Sequence, residues 1–577
     1  MYNLTEEQKK KLTDIVGEEN IATQPWLRDT YGIWFASPST EDGNIEWAAR
    51  PAAIITPETT EQVQAITQYC NETDLMVHPT STGQIVAGAA TAEKTLLLDL
   101  CKMNTIVELD ADNMTAVVEP FVRSLDLQLQ AWPKQCNPYV ISVGAVGSTL
   151  AAATSHTGYG QYGPSCGYGP RTILGLEWVM PDGDVIQIGS AGQKAGWFTT
   201  AGPGPDLLGV MRGFNGAMGG LGTYTKAAIK MGPWYGPKEI GDENLSFECK
   251  MPRFVMHGKL PENVAFRAVS FPTMEAFTEA HYRVNEEYIP YAEKRVPAFL
   301  QSLAGSSNSY EHVKVWESGY LQKINRYMMS VMIIGANKEE CEWKEKAFDI
   351  IVAEEGGIRM PKVIRAHPDI YDDIVKLFHD TPNKEDYKKL QQDIQARIDA
   401  IPYDEMSHMA ASASISGTMR NVDIGMARPG ALFTLGGNLD TWDAGLAMNR
   451  STVEQKTPLV RAGGILDDDI DTGCGNPYEG GHLGYTENIF FINRNDASGS
   501  GARALAQATG KNATNEIKEG FSSFTISFGM NNERFGPLEY DYHIWTKRIK
   551  KLLDPNDSCD STTYSGLPNH KEVKMNG

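Results

Sequence analysis

The sequence predicts an α+β protein built from more than one body. Three observations lead there. The N-terminal part reads β-α-β and then β-rich. Glycine becomes dense between Gly144 and Gly222. After Trp234 the texture changes to longer helical segments. With 577 residues, 41% of them hydrophobic, the chain can bury a large core, and its length suggests roughly three to four domains at about 150 residues each, fewer if the α/β units are large.

The elements follow in order. Thr5 and Gln8 have the spacing of a capping box that opens a surface helix. "AAIITP" (52–57) reads as a buried strand. In "TTEQVQAITQYCNET", Thr59 and Gln62 can cap a helix whose apolar face is Val63, Ile66 and Cys70. "LMVHP" is the next strand, followed by "TLLLDL", "TIVELD" and "TAVVEPF". "RTILGLEWVMPDGDVIQIG" reads as a hairpin turning at Pro181-Asp182-Gly183. The segments "PTMEAFTEAHYRVNEEYIPYAEKRV" and "KEDYKKLQQDIQARIDAI" read as helices of a second body, and "SSFTISFG" as a late strand. "PLEYDYHIWTKRIKKLLDPN" reads as a closing amphipathic helix, with Trp545 expected in the core.

Bulk chemistry narrows the function. A formal net charge of −21 argues against nucleic acid or an anionic membrane as partner, since both select basic surfaces. The eight cysteines include no C-x-x-C pair, which disfavours an iron–sulfur cluster or an all-cysteine zinc site and fits a reducing, cytoplasmic location. The first residues carry no apolar h-region and no twin arginine, and no run of about eighteen apolar residues suggests a membrane span. The glycines have no fixed period, so many of them let backbone lie close to something flat or large.

The stretch "VHPTSTGQIVAGAAT" (77–91) breaks an apolar strand with Pro79, Ser81, Thr82 and Gly83. Such a loop is either an ordinary turn or a place where open N–H groups hold a phosphate. Neither G-x-G-x-x-G nor the P-loop pattern is present. Five segments then come in a telling order: "PTSTGQIVAG", "LLLDLCKMNTIVELDADNMTAVVEPFV", "GSTLAAATSHTGYGQYG", "ILGLEWVMPDGDVI" and "GGLGTYTKAAIKMGPW". In order and spacing they resemble the FAD-binding family of p-cresol methylhydroxylase and vanillyl-alcohol oxidase, over most of 51–234 and again over about 488–568.

The resemblance implies a two-lobed FAD domain over residues 1–236, a substrate-binding α/β cap over 237–500, and a C-terminal return over 501–577. It implies that Pro79, Ser81, Thr82, Gly83, Gln84 and Ile85 grip the pyrophosphate. Gly147, Ser148, Ser155, Gly158 and Gly160 would line the flavin, and Glu177, Gly222 and Tyr224 would lie toward the adenosine. The family's phenolate-binding and flavin-facing groups are replaced here by Ser124, Pro164, Phe521 and Ser522. Asn488 stands near the histidine that one branch links to flavin, so the FAD is expected to be non-covalent. In the 2-hydroxy-acid branch a metal is held by two histidines and a later Glu-His. Here His482 remains, but Ile489, Gly529 and Met530 stand at the other places, so no metal is expected.

Candidates for the base and substrate contacts are Arg461, His482, Tyr485, Glu487, Tyr542 and His543, several of them in the polar loop 467–488. The reading is an FAD-dependent dehydrogenase. It would take a hydride from an activated C–H or C–OH of a small organic substrate to flavin N5 and pass the electrons to a separate acceptor. The alternatives are a phenol-type oxidase of the same family and a non-catalytic flavin subunit of a redox complex. Homo-oligomer formation is left open.

Overall fold

The computed structural model describes residues 2–31, 49–83, 90, 92–139, 147–155, 160–167, 169–197, 207–211, 216–235, 261–295, 297–304, 308–360, 367–381, 383–402, 431–463, 465–493, 518 and 536–560. Gln84, Ile85, Gly158 and the expected strand "SSFTISFG" lie outside them.

The first lobe starts with α1 (Glu6–Val16), where Thr5 and Gln8 close both bonds of the expected capping box. β1 (Ile21–Ala22), α2 (Pro25–Tyr31), β2 (Ala53–Ile55), α3 (Thr60–Glu72), β3 (Met76–Thr80) and β4 (Thr95–Asp99) follow. The sheet order is β1-β2-β4-β3, with β2 and β3 each parallel to β4. β2 and β4 are buried along their whole length, which is why they read as continuous apolar runs rather than alternating ones. Val63, Ile66 and Cys70 of α3 close one face with Leu12 and Val16 of α1.

The second lobe is an antiparallel sheet, β5-β6-β10-β8-β9. Its strands are β5 (Ile106–Asp110), β6 (Thr115–Val118), β8 (Ile173–Val179), β9 (Val185–Gly189) and β10 (Thr223–Lys230). β8 and β9 form the expected hairpin, with Gly183 at φ +86° and Met180 N–H bonded to Asp184 O at 2.8 Å. Between them lie α4 (Ser124–Ala131), β7 (Cys136–Asn137), α5 (Thr149–Thr154) and α6 (Gly163–Cys166). α7 (Leu208–Met211) precedes β10, and β7 pairs with β11 (Gly232–Pro233).

Residues 264–493 form an insert with two sheets. The first has the order β13-β14-β12-β15. It combines β12 (Val264–Ser270), β13 (Ala292–Lys294), β14 (Met328–Ile334) and β15 (Ile358–Arg359) with helices α8 (Met274–Glu286), α9 (Ala298–Ala304), α10 (Ser309–Glu317), α11 (Tyr320–Ile324) and α12 (Lys338–Glu354). α13 (Pro368–Asp380) and α14 (Lys384–Asp399) pack on its edge. The second sheet has the order β16-β18-β17. β16 (Ala431–Thr441) leads into α15 (Trp442–Arg461), and β17 (Cys474–Tyr478) and β18 (Leu483–Asn493) complete it. The long helix expected over 272–296 is therefore a helix ending at Glu286 and a separate strand. Pro290 removes a backbone donor between them, and Glu293 and Arg295 beyond it bond outward from the strand.

α16 (Tyr542–Leu553) closes the chain. Trp545 is not in the core: it is 58% exposed, with the Arg548 guanidinium 4.7 Å from its ring centroid. What α16 buries instead is Lys550, whose Nζ bonds Gly220 O at 3.0 Å, Cys559 O at 2.9 Å and the Asp554 carboxylate. Asp554 also accepts from Ser558 N and Cys559 N. The chain end then lies along β3: Val77 N–H bonds Ser558 O, and Asp560 N–H bonds Val77 O. Replacing Asp554 with Ala leaves the Lys550 ammonium buried and unpaired. The expected cost is about 3–5 kcal/mol of unfolding free energy, read from denaturant titration of the purified protein.

Candidate functional site

The exit of β3 is open backbone. Among the described residues, the N–H groups of Ser81, Thr82 and Gly83 have no acceptor. Gly83 sits at φ +63°, a conformation glycine adopts without strain. The hydroxyls act as struts rather than as free donors. Ser81 Oγ donates to Pro120 O at 2.6 Å, Ser148 Oγ to the same carbonyl at 2.5 Å, and Thr82 Oγ1 accepts from Ser148 N–H at 3.1 Å. Ser148 also caps α5, accepting from Ala151 N–H at 3.0 Å. Gly147 O accepts from Ser124 N–H, so the chain at 147–148 is braced from both sides.

A third segment approaches from the turn before β10. A Cβ on Gly219 would stand 2.9 Å from Pro79 Cδ, and one on Gly222 (φ +102°) would strike the Val179 carbonyl. Thr223, next to Gly222, has a fully buried hydroxyl with no partner among the described residues. Tyr224 is buried edge-on against Trp178. Glu177 is fully engaged. Its Oε1 accepts from Thr60, Thr225 and Lys226, and its Oε2 from Gln187. Burial pushes this carboxyl up, but the bonds from Gln187, Lys226 and Thr60 outweigh it and hold it below its ordinary value. Glu177 thus pins α3 of the first lobe to the second.

One side of the insert's second sheet packs against α6. Residues along β18 alternate between faces. α15 covers the side of Gly484, Thr486 and Phe490: a Cβ on Gly484 would meet Trp442, one on Gly445 would meet Thr486, and Lys456 lies over the Phe490 ring. Tyr485, Ile489 and Phe491 are on the other side, and the Glu487 side chain lies outside what the structure describes. At the end of that side α6 packs on β17, where a Cβ on Gly163 would meet Tyr478 and the Pro477 carbonyl. The body that carries Gly160 and Gly163 therefore abuts the face that carries Tyr485, which is 1% exposed.

The structure does not gather the six candidate side chains. His482, at the turn before β18, is exposed, and so is Arg461 at the end of α15. Tyr542 is 65% exposed on α16, and His543 packs on Gly536. His78 is buried, its Nδ1 3.2 Å from Asp560 O. Ser155 ends α5 with its hydroxyl 3.2 Å from that of Thr154. Asn488 is buried on the α15 side of β18. Sequence reading missed an aromatic group at the junction. Tyr162 contacts Tyr139 and Tyr291 with centroids 5.8 Å apart in each case, and Tyr291 contacts Trp234 at 5.9 Å. Asn137 threads this group, accepting from Trp132 Nε1 at 2.9 Å and donating to Tyr291 Oη at 3.3 Å.

Residues 51–189 match the family described as FAD binding domain. A glycolate oxidase subunit of Bacillus subtilis (strain 168) is 27% identical over 237 residues, covering 40% of this chain and 46% of that protein. The flavoprotein subunit of 4-cresol dehydrogenase (hydroxylating) from Pseudomonas putida is 30% identical over 209 residues, covering 34% of this chain and 37% of that one. The chain thus aligns with less than half the length of these curated relatives. The solved structure of 4-ethylphenol oxidase from Gulosibacter chungangensis superposes with a TM-score of 0.61 at 16% identity, covering 97% of this chain and 98% of that chain.

Residues 51–189 are thus an FAD-binding domain, and the fold is the one seen in the solved 4-ethylphenol oxidase. FAD is its cofactor. The donor set fits a flavin: open neutral N–H groups for a diphosphate, glycines where backbone must come close, and, among the described residues, an unpartnered buried hydroxyl at Thr223. Among the described residues no group of three or more His, Cys, Asp or Glu could hold a metal, and no helix is long and apolar enough to cross a membrane.

Beside the Tyr485 face lies a loop under backbone strain. Asp469 and Ile470 have φ +65° and +55°, and a β-branched residue there is a true outlier. Buried ion pairs hold it: Lys456 with Asp468 at 2.5 Å and Arg295 with Asp471 at 2.5 Å. Burial raises the Asp468 carboxyl to about 6, against the pull of Lys456. Burial also raises Asp471, but Arg295 outweighs it and leaves that carboxyl below its ordinary value. An unfolded aspartate titrates near pH 4. The folded protein therefore binds more protons at Asp468 between about pH 4 and 6, and this site gains stability as pH falls through that window. Relative to an Asp468→Asn variant, the wild type should gain about 2 kcal/mol between pH 7 and pH 4.5, measured by thermal melts across that range.

Proposed function

We propose that the chain is an FAD-dependent dehydrogenase that takes two electrons from an activated C–H or C–OH group of a small organic substrate. The observation that carries this is the buried Tyr485 on the one sheet face that abuts the Gly160–Gly163 segment. Ser81–Gly83 would hold the diphosphate through backbone N–H groups, and Ser148 would brace that loop from α5. Bound there, FAD supplies a two-electron oxidant, and the protein supplies position and electrostatics. The face of Tyr485, Ile489 and Phe491 would seat the substrate and exclude water. Tyr485 would hold the proton of the reacting oxygen, a role worth about a hundredfold or more in rate. The reading keeps the FAD non-covalent and the final electron acceptor separate.

The aromatic group of Tyr139, Tyr162 and Tyr291 supports a second reading, a phenol-type substrate, in line with the 4-cresol named for one relative. Burial pushes the Tyr139 and Tyr162 hydroxyls well above their ordinary values, so both would stay neutral donors toward a phenolate.

Acid precipitation of the purified protein should release all flavin absorbance to the supernatant, and colour retained in the pellet would show covalent attachment. An anaerobic screen of 2-hydroxy acids, aryl alcohols and 4-alkylphenols should then bleach the flavin with one class. If none bleaches it, a non-catalytic flavin subunit becomes the better reading. With that substrate, Tyr485→Phe should lower kcat about a hundredfold and leave FAD content unchanged.

A further inference from the structure

Glu293 and His281 are both fully buried, far from any expected catalytic group in sequence, and form an ion pair through Glu293 Oε1 and His281 Nδ1. Asn285, one turn after His281 on α8, donates to Glu293 Oε2 at 2.9 Å and to His281 O at 2.9 Å. The imidazole is wedged edge-on between Phe277, 4.1 Å away by centroids, and Trp442, 5.1 Å away. Trp442 is itself fixed by its indole N–H to Thr278 O at 3.2 Å. The pair therefore ties α8, β13 and the start of α15 into one rigid corner.

That corner has one outward bond that matters. The Glu293 N–H donates to Gln161 O at 2.7 Å, reaching from the insert into the FAD-binding body. Gln161 lies between Gly160 and Tyr162. Gly160 O in turn accepts from Gly163 N–H, and the Tyr162 ring rests against Tyr291, two residues before Glu293. The segment Gly160–Gly163 is thus held by β13 on one side and by β17, through Gly163 and Tyr478, on the other.

We propose that Glu293 and His281 are positioning residues that set the Gly160–Tyr162 backbone against the flavin ring. The inference rests on the reading above, in which that segment lines the flavin. Neither side chain touches the reacting atoms. A buried carboxylate without its partner relaxes toward water or protonates, and β13 is an edge strand only three residues long. Its Gln161 contact would shift with it.

The test compares FAD dissociation constant, flavin absorption and circular dichroism, and reduction potential of the full chain in four variants. His281→Phe removes the pair while filling the space between Phe277 and Trp442. His281→Gln keeps a donor for Glu293. Gly160→Ala probes the segment itself. Ile374→Val, in the separate core under α13 and α14, lowers stability away from the corner. His281→Phe should weaken FAD binding about tenfold and move the flavin bands. His281→Gln should restore most of both, and Ile374→Val should lower Tm without moving the bands. If Gly160→Ala moves the bands and His281→Phe does not, the positioning role is overturned and the flavin site stands. If neither moves them, the flavin placement fails and the role falls with it.

Discussion

One short edge strand holds the molecule together. An edge normally leaves a row of N–H and C=O groups unpaired. β13, paired with β14 on one side, gives its other edge to two further bodies instead. Tyr291 N–H goes to Met332 O in its own sheet, Glu293 N–H to Gln161 O in the FAD-binding body, and Arg295 N–H to Gly475 O at the second sheet of the insert. The side chains repeat the pattern, with Tyr291 on Tyr162 and Trp234, Glu293 on His281, and Arg295 on Asp471. The face of β18 that carries Tyr485 can meet the 160–163 segment only because this strand fixes both.

The sequence made local features readable and long-range ones opaque. Capping at Thr5 and Thr59, the buried runs of β2 and β4, and the Gly183 turn are decided within a few residues, and each appears where its pattern lies. β13 was hidden because "YIPYAEKRV" carries helical spacing up to Pro290, and what makes it a strand is β14, several helices further along the chain, with Gln161 and Gly475 still further away on either side. Trp545 illustrates the opposite failure. A large aromatic on an amphipathic helix reads as core, yet its helix buries the polar Lys550, because the turn at Gly220 supplies that ammonium with a carbonyl and the segment 554–559 with a second carbonyl and a carboxylate. Of the site, the open β3 loop and the Gly219–Gly222 turn were legible from glycine and hydroxyl spacing. The face of Tyr485 was not, since it depends on which side α15 covers.

The insert spends its buried charge on specificity of arrangement rather than on net stability. Two ion pairs within one strained loop cost desolvation that their mutual attraction barely recovers. They hold Asp469 and Ile470 in a left-handed path that apolar residues would not dictate. The path matters because the loop leads directly into β17, and β17 supplies the contact with α6.

The last described residues lie on β3, with Asp560 bonded to His78 across 482 positions of chain. A contact of such sequence separation closes late. On the ribosome, the first lobe emerges with the edge of β3 bare, and it stays bare until residues 558–560 have been made. At about 5–20 residues per second, that interval lasts on the order of half a minute to two minutes. The nascent chain thus has a window in which an unfinished sheet edge beside the open Ser81–Gly83 backbone is available to chaperones, and the nucleotide cradle gains its last neighbour only when the segment around Asp560 arrives.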